Sequence, residues 1–354
     1  MTSLTAPGAV VIGVDTHKHV HVAVAITTLG ERLGSIEVPT SAAGLDELTA
    51  WARTHGEVTA WGIEGTGMWG KGLNWAIAAT GARVVEVNRP NRQARRALGG
   101  KNDVIDAEAA ARSVLSGFAT ATPKSGVGTV EAIRVTRSVR ASAVKAKTAA
   151  MNELRAHIVT APAALRDELE TLTSMALIKR CAGFRPGPAD HLKTVLRLLA
   201  RRWQHLNVEA RDLERTLVEL VTAAAPGLLD QFGVGPDSAA ALLITAGDNP
   251  ERITTPAKFA ALCGTNPIPA SSGMTDRHRL NRGGDRQANA ALYRIIIVRL
   301  RYDPETQAYM ATRLNANGSN KKHLIRCLKR ALTRRLYREI IAASVHPEPT
   351  ALAA

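Results

Sequence analysis

Two aspartates, Asp103 and Asp106, stand three residues apart in the helical stretch Lys101-Asn-Asp-Val-Ile-Asp-Ala-Glu-Ala-Ala-Ala. Residues at i and i+3 are neighbours on one helix face, so both carboxylates point into the same volume. Like charges that close repel each other unless a cation lies between them, and oxygen ligands at this spacing suit a hard ion such as Mg²⁺. The alternative is an acidic first turn that favours the positive end of the helix dipole.

Two further acids, Asp15 and Glu64, each end a strand-like apolar stretch upstream. The pattern of the first third predicts three strands as an antiparallel meander, then a helix, a strand, a helix, a strand and the helix of the aspartate pair. The three strands of the meander are 10–15, 20–26 and 32–38. They are followed by a helix over 45–53, a strand over 58–64, a helix through Trp75 that ends at 79, and a strand over 83–88.

That order is the layout of the ribonuclease-H-like fold, a mixed sheet flanked by helices, in which the first and fourth strands are neighbours. Asp15 and Glu64 then emerge at adjacent strand ends, where ligand sites of open α/β sheets collect. The last helix delivers Asp103 and Asp106 to the same place. Four carboxylates there predict two Mg²⁺ ions about 3.5–4 Å apart, which hold the attacking and leaving oxygens of a phosphodiester.

Two other protein classes share this sheet. Actin-like ATPases follow the first-strand acid with Gly-Thr, whereas this chain continues from Asp15 with Thr16 and His17. Proofreading exonucleases place two acids on the first strand, and this strand carries one. Lys18 and Lys101 flank the acids, where each could hold a phosphate.

The balance of charge favours a nucleic acid partner. The chain has 46 Lys+Arg against 31 Asp+Glu, a net charge of +15, and basic side chains release counterions from phosphates. A basic connector before the aspartate pair carries Arg92, Arg95 and Arg96. Aromatic residues are only 4% of the chain, so a stacking platform for single strands is not the expected design.

Cysteine usage and hydropathy indicate a soluble cytoplasmic protein. The three cysteines are far apart and lack metal-ligand spacing, which is typical of reduced residues. The N-terminus lacks a basic segment followed by an apolar one, and no apolar run approaches the ~20 residues that span a bilayer. No membrane partner is expected.

The middle third is predicted to be helical after the linker 123–128. A long basic helix over 130–158 either lies along a nucleic acid backbone or presents a solvated face. A second helix carries apolar residues in alternating steps of about four and three, the seam of a left-handed coiled coil. We favour a partner helix in another subunit over the preceding helix of the same chain. The seam is Leu192, Leu196, Leu199, Trp203, Leu206, Ala210, Leu213, Leu217 and Leu220.

The last third contains two motifs that suit phosphates. Gly233-Val-Gly235 between two helical stretches resembles a helix-hairpin-helix, whose glycines let the backbone approach a phosphate; an ordinary helix turn is the alternative. Ser271 and Ser272 precede Gly273 in a loop rich in cations. A serine attacks phosphorus only when a base or metal activates it, and no triad is evident, so His278 or the metals would do so. The loop cations include Arg277, Arg279, Arg282 and Arg286, and a basic helix follows over 321–338.

The combination of these motifs resembles the DEDD transposases of insertion sequences, the IS-one-ten family, over roughly residues 10–160 and 226–315. The motifs are Gly13-Val-Asp15 with Lys18, Glu64-Gly-Thr-Gly67, Val87-Asn-Arg-Pro90, Lys101-Asn-Asp103-Val-Ile-Asp106-Ala, Gly233-Val-Gly235 and Ser272-Gly273. Two features depart from the family pattern: the Ser271-Ser272 doublet, and Arg282-Gly-Gly-Asp285 where Gly-Asn is more usual.

The resemblance implies a RuvC-like nuclease domain (8–122), a helical coiled-coil connector (128–222) and a helical C-terminal transposase domain with a helix-hairpin-helix (223–345), an α/β plus all-α architecture. It implies a prokaryotic, nucleoid-associated recombinase that works on double-stranded DNA with a structured bridge RNA, as a dimer or tetramer with magnesium. Metal ligands would be Asp15, Glu64, Asp103 and Asp106, and the nucleophile Ser272, which stands directly before glycine. Nucleic acid contacts would come from Lys18, Arg92, Arg95, Arg96, Lys101, Gly233, Gly235, Arg279 and Arg282.

Other functions remain open from the sequence. A Holliday-junction-type hydrolytic nuclease would use the carboxylates to activate water, with the serine only structural. A weaker alternative is a nucleic-acid-binding protein whose acids do no chemistry.

Overall fold

The computed structural model of the protein describes residues 8–88, 102–274, 277–317 and 320–345. The described residues form two compact units that divide between Gly126 and Val127, within the predicted linker. A further division near residue 222 stays a prediction. None of the helices in the described ranges has the length and apolar character needed to cross a membrane.

The first unit contains a mixed five-stranded sheet. Its strands are β1 (Ala9–Thr16), β2 (Val20–Thr27), β3 (Arg32–Pro39), β4 (Glu57–Glu64) and β5 (Val84–Val87), in the spatial order β3-β2-β1-β4-β5. The first three pair antiparallel, whereas β4 runs parallel to both β1 and β5. The predicted meander and the predicted contact between the first and fourth strands are confirmed, and the order is consistent with the ribonuclease-H-like layout.

Helices cover both faces of this sheet. They are α1 (Ala42–Thr54), α2 (Lys71–Ala79) and α3 (Asp103–Leu115). One apolar core joins Val10, Ile12 and Val14 to α1 and α2. A second core packs Val11 and Ala60 against α3. Because successive strand residues point to opposite faces, alternate positions of β1 and β4 face α3.

The second unit is mostly helical. Its helices are α4 (Thr129–Val159), α5 (Ala163–Glu170), α6 (Ser174–Ala182), α7 (His191–Ala224), α8 (Pro226–Leu229), α9 (Pro236–Ala246), α10 (Pro256–Leu262), α11 (Arg286–Tyr302), α12 (Pro304–Asn317) and α13 (Lys321–Val345), with a 3-10 turn at Pro250–Arg252. A two-stranded hairpin interrupts them, formed by β6 (Pro267–Pro269) and β7 (His278–Leu280).

The predicted coiled-coil seam lies on α7 and packs against α4 of the same chain. All nine seam residues are buried or half-buried, and α4 contributes buried Ala143, Ala150 and Leu154. Our preference for a partner helix in another subunit is therefore corrected. Helix α4 is similar in length to α7 and offers a matching apolar stripe within the same chain, so the leucines are covered without a second copy.

The basic residues of α4 are largely engaged within the chain. Arg134 pairs with Glu131 of the same helix. Three further basic residues of α4 contact side chains on α7 or α9. Arg137 lies 2.9 Å from Asp237, Arg140 lies 3.2 Å from Glu214, and the Lys147 ammonium donates to Asn207 Oδ1 at 3.1 Å. The structure therefore favours a bundle helix over a helix laid along a nucleic acid backbone.

Candidate active site

Alternation along two parallel strands brings Asp15 and Glu64 to one face of the sheet. Val14 of β1 pairs with Ile63 of β4, so the next residues, Asp15 and Glu64, stand side by side at the strand ends. The Thr16 hydroxyl donates to the Glu64 carbonyl oxygen at 2.9 Å and ties the two ends together. Both acids are almost fully buried, 2% and 4% exposed.

Two glycines let α3 lie directly on these strands. A Cβ atom added at Gly13 would stand 2.0 Å from the Ala107 carbonyl oxygen. One added at Gly62 would stand 2.9 Å from the Ala110 carbonyl oxygen. Both distances are shorter than van der Waals contact, so any side chain at Gly13 or Gly62 would push the helix away from the sheet.

The start of α3 presents the aspartate pair to the same face. The Asn102 side chain accepts a hydrogen bond from the Val104 amide at 2.9 Å and caps the helix. Asp103 and Asp106 both lie in the first turn. Asp106 is buried, whereas the Asp103 side chain is 42% exposed. The helix start therefore supplies one acid inside the core and one at its edge.

His17 lies between two of the predicted acids, a role that sequence reasoning missed. Its Nε2 atom is 3.2 Å from Asp15 Oδ2 and 3.4 Å from Asp103 Oδ2. One ligand atom from each of these three residues falls within 4.8 Å of the others. Ligands at right angles around an ion about 2.1 Å away stand about 3.0 Å apart, so this spacing suits a small divalent cation.

The other two predicted ligands, Glu64 and Asp106, lie outside this group. Glu64 ends the strand beside Asp15, and Asp106 lies three residues along α3 from Asp103. Neither belongs to the group of Asp15, His17 and Asp103. The structure thus brings together two of the four predicted acids with a histidine, and it buries the other two on neighbouring elements.

The predicted basic contacts near the acids are only partly described. Lys18 is exposed in the turn between β1 and β2, where its carbonyl oxygen accepts from the Thr40 hydroxyl at 3.3 Å. Four predicted contacts, Arg92, Arg95, Arg96 and Lys101, lie outside the described residues.

The two serines stand at the turn of the β6–β7 hairpin, which we call the serine hairpin. The Arg277 amide donates to Ser271 Oγ at 3.2 Å, and the Ala270 amide donates to the Arg277 carbonyl oxygen at 2.8 Å. Ser271 is therefore part of the hairpin closure. The Ser272 hydroxyl is exposed and, among the described residues, makes no hydrogen bond.

The predicted activator of the serine, His278, lies on β7 of the serine hairpin. It pairs with Pro269 across the hairpin, and among the described residues no hydrogen bond joins its ring to the Ser272 hydroxyl. Asp285, which departs from the family pattern, caps α11 by accepting from the Gln287 amide at 2.7 Å. Its role here is structural.

The glycine turn before α9 has a carboxylate of its own at the helix start. Gly233 has a positive φ of 78°, and Val234 is buried. Pro236 opens the helix without an amide hydrogen, and Asp237 follows it, held by Arg137 and by Arg294 at 2.9 Å. The turn exists as predicted, although Asp237 already supplies negative charge where a phosphate was expected.

Two protein-family models match the chain. A transposase model for the IS110 DEDD type matches residues 12–161. A model described as transposase IS116/IS110/IS902 family matches residues 227–311. The first match spans all four predicted acids, and the second spans the serine hairpin. No curated protein matches the sequence.

Proposed function

Because the chain belongs to the IS110-family DEDD transposases, we propose that it cuts and exchanges DNA strands of an insertion sequence under the guidance of a structured bridge RNA. The observation that carries this proposal is the approach of Asp15, His17 and Asp103 at the end of β1, inside the region that matches the DEDD model. Paired carboxylates at a strand end suit metal-dependent phosphodiester chemistry.

The acids would hold one or two Mg²⁺ ions. Asp15 and Asp103 are the ligands that the geometry supports best, and Glu64 and Asp106 would complete the set from their buried positions. A bound divalent ion stabilises the negative charge that develops on phosphate oxygens. The protein's own contribution is to hold the carboxylates on two adjacent strands and one tightly packed helix.

Ser272 is the proposed nucleophile. Its Oγ would form a bond to a DNA phosphorus while the bond from that phosphorus to one bridging oxygen breaks. The hydroxyl proton passes to a base, and the departing oxygen takes up a proton. The choice of Ser272 over Ser271 is supported by hydrogen bonding, since Ser271 Oγ already accepts from the Arg277 amide.

The partners follow from family membership and charge. The net charge of +15 suits both double-stranded DNA and a guide RNA. We propose a dimer or tetramer that acts at the prokaryotic nucleoid. We also propose a RuvC-like domain at 8–122, a connector at 128–222 and a transposase domain at 223–345.

Covalent trapping on three variants tests the chemistry. We expect Ser272→Ala to abolish the protein–DNA adduct, because the attacking oxygen is gone. Ser271→Ala should keep the adduct at a moderately reduced rate, because it removes hydrogen bonds that close the hairpin, each worth about 1 kcal/mol, and leaves the attacking oxygen in place. Asp103→Asn should reduce cleavage by at least about 100-fold, since a charged metal ligand is lost. Denaturing gels with labelled DNA measure all three.

The same experiment distinguishes the hydrolytic alternative. If Ser272→Ala cuts DNA as fast as the unaltered chain and only Asp103→Asn is inactive, the protein is a nuclease whose serine is structural. If neither change affects DNA integrity, the acids do no phosphodiester chemistry.

A further inference from the structure

A large cavity opens in the second unit beside the serine hairpin. Its volume is about 690 Å³, within the range of roughly 300–1,000 Å³ typical of small-molecule sites. Its walls come from the turn 264–267, from β7 and from facing parts of α11 and α13. We call it the basic cavity. None of the residues identified as metal ligands lines it.

The charge around the basic cavity is of one sign. No carboxylate among the described residues lines it, and no ion pair with an acid in those ranges neutralises its cations. Some arginines elsewhere in this unit do form ion pairs, as Arg294 does with Asp237. Uncompensated positive charge around a concave site favours a phosphate-bearing ligand. The cations are Arg279, Arg282, Arg286, Arg326, Lys329 and Arg330.

Lys329 is the most constrained of these cations. Its ammonium donates to Asn289 Oδ1 at 2.6 Å, and the Asn289 amide donates to the carbonyl oxygens of Cys263 and Gly264. Burial lowers the pKa of Lys329, and the neighbouring Arg326 lowers it further. An anion in the cavity would relieve both effects, because it stabilises the charged form of the lysine.

One wall of the cavity is apolar and carries an aromatic ring. Pro267, Leu280 and Ala290 contribute aliphatic surface, and Tyr293 of α11 lines the same space while remaining 47% exposed. A planar base can stack on an exposed tyrosine, whereas inorganic phosphate makes no favourable contact with an apolar or aromatic surface. The cationic and aromatic parts together match a nucleotide.

We propose that the basic cavity takes one unstacked nucleotide of the DNA strand that Ser272 attacks, with its phosphate on the arginines and its base on Tyr293. The proposal rests on the proposed function for the identity of that strand. Ser272 stands three residues beyond Pro269, which pairs with the cavity residue His278. Three residues span at most about 11 Å, so a strand at the serine reaches the cavity within a few nucleotides.

Photocrosslinking tests the site without requiring cleavage. The full chain would be mixed with single-stranded DNA of mixed sequence that contains one 5-iododeoxyuridine, irradiated, and mapped by mass spectrometry. We expect the crosslink at Tyr293, retained in Tyr293→Phe and lost in Tyr293→Ala. Tyr302→Ala is the matched control, because Tyr302 is an exposed tyrosine of the same helix that does not line the cavity. Tyr293→Ala should also weaken DNA binding about tenfold.

Cys327 provides a second readout, because it is exposed and lines the cavity. Bound DNA should protect this thiol from a maleimide reagent, and Tyr293→Ala should reduce the protection. A crosslink that maps elsewhere, one seen only with 5-iodouridine RNA, or an unprotected Cys327 would each overturn the proposal. If crosslinking at Tyr293 occurs but Ser272 forms no adduct, the proposed chemistry fails and the nucleotide site stands.

Discussion

At the scale of single residues, the decisive contact is that of His17 with Asp15 and Asp103. Three residues near one strand end place an imidazole nitrogen and two carboxylate oxygens around a common point. Imidazole suits transition metals, whereas all-oxygen sites suit Mg²⁺. We therefore expect His17 to shift the preference of this candidate centre from Mg²⁺ towards Mn²⁺, because an imidazole nitrogen is a softer ligand than a carboxylate oxygen.

We expect Mn²⁺ bound to the full chain to show nitrogen-14 modulation in pulsed electron paramagnetic resonance spectra, because a ring nitrogen would coordinate the ion. His17→Gln should remove the modulation and weaken Mn²⁺ binding about tenfold. The exposed His19, two residues away, is the control: His19→Gln should leave the spectrum unchanged. Modulation that survives in His17→Gln would show that His17 is not a ligand.

Two members of the candidate site, Asp15 and Asp103, were among the acids predicted from the sequence, whereas His17 was not. Asp15 and Glu64 each end an apolar strand, and a period of two residues carries both to the face of α3. His17 follows Asp15 by the same period, which is the signal that could have identified it. It was missed because the residue lies just past the end of β1, where a turn histidine is usually solvated.

At the scale of secondary-structure elements, the distance between the backbone of α3 and the strands β1 and β4 determines where Asp103 and Asp106 lie. Gly13 and Gly62 keep that distance short, because neither carries a side chain. Both glycines were visible in the sequence within strand stretches, where an isolated glycine indicates close backbone approach. The backbone atoms that approach them could not be identified, because they belong to a helix that begins about ninety residues after Gly13 and about forty after Gly62.

We expect Gly13→Ala to lower the free energy of unfolding by about 1–3 kcal/mol and to weaken divalent metal binding, because the new methyl group collides with α3 backbone. Gly72→Ala is the control, since a Cβ there meets nothing within 4 Å and alanine favours a helix. Urea unfolding and metal titration measure the two effects. Equal stability of both variants would contradict the close packing.

Long helices were predicted more accurately than the short hairpin. The apolar repeat of α7 extends over many turns and indicates a helix without tertiary information. In contrast, β6 and β7 have three residues each, and β6 contains two prolines. Proline disfavours the interior of a sheet, so the polar region around the serines was predicted as a loop.

At the scale of the whole molecule, the excess of basic residues is unevenly neutralised. Many arginines of the second unit form ion pairs, for example Arg215 with Asp212. The cations of the basic cavity have no carboxylate partner in the described ranges. Formal net charge predicted a nucleic acid partner, but only the pairing pattern indicates which cations remain available to phosphates.

Nucleic acid binding should therefore depend steeply on salt, with unequal contributions from different arginines. We expect Arg279→Gln to reduce the slope of log K against log salt by about 1, because one phosphate contact is lost. Arg215→Gln, which changes an exposed but ion-paired arginine, should leave the slope unchanged. Fluorescence anisotropy across a salt series measures both, and a shallow slope in the unaltered chain would exclude extensive phosphate contacts.

The tight seating of α3 has a consequence for ionic selectivity. The sheet supplies Asp15, and the helix supplies Asp103. The distance between these two carboxylates, which would bind one ion together, therefore depends on the distance between the backbones of α3 and β1. We therefore expect the small residues at these two strand positions to restrict the radius of the ion that this candidate centre would accept. Replacing them with larger side chains would widen the gap, so that binding of small divalent ions weakens more than binding of bulkier ones such as Ca²⁺, without altering a single ligand.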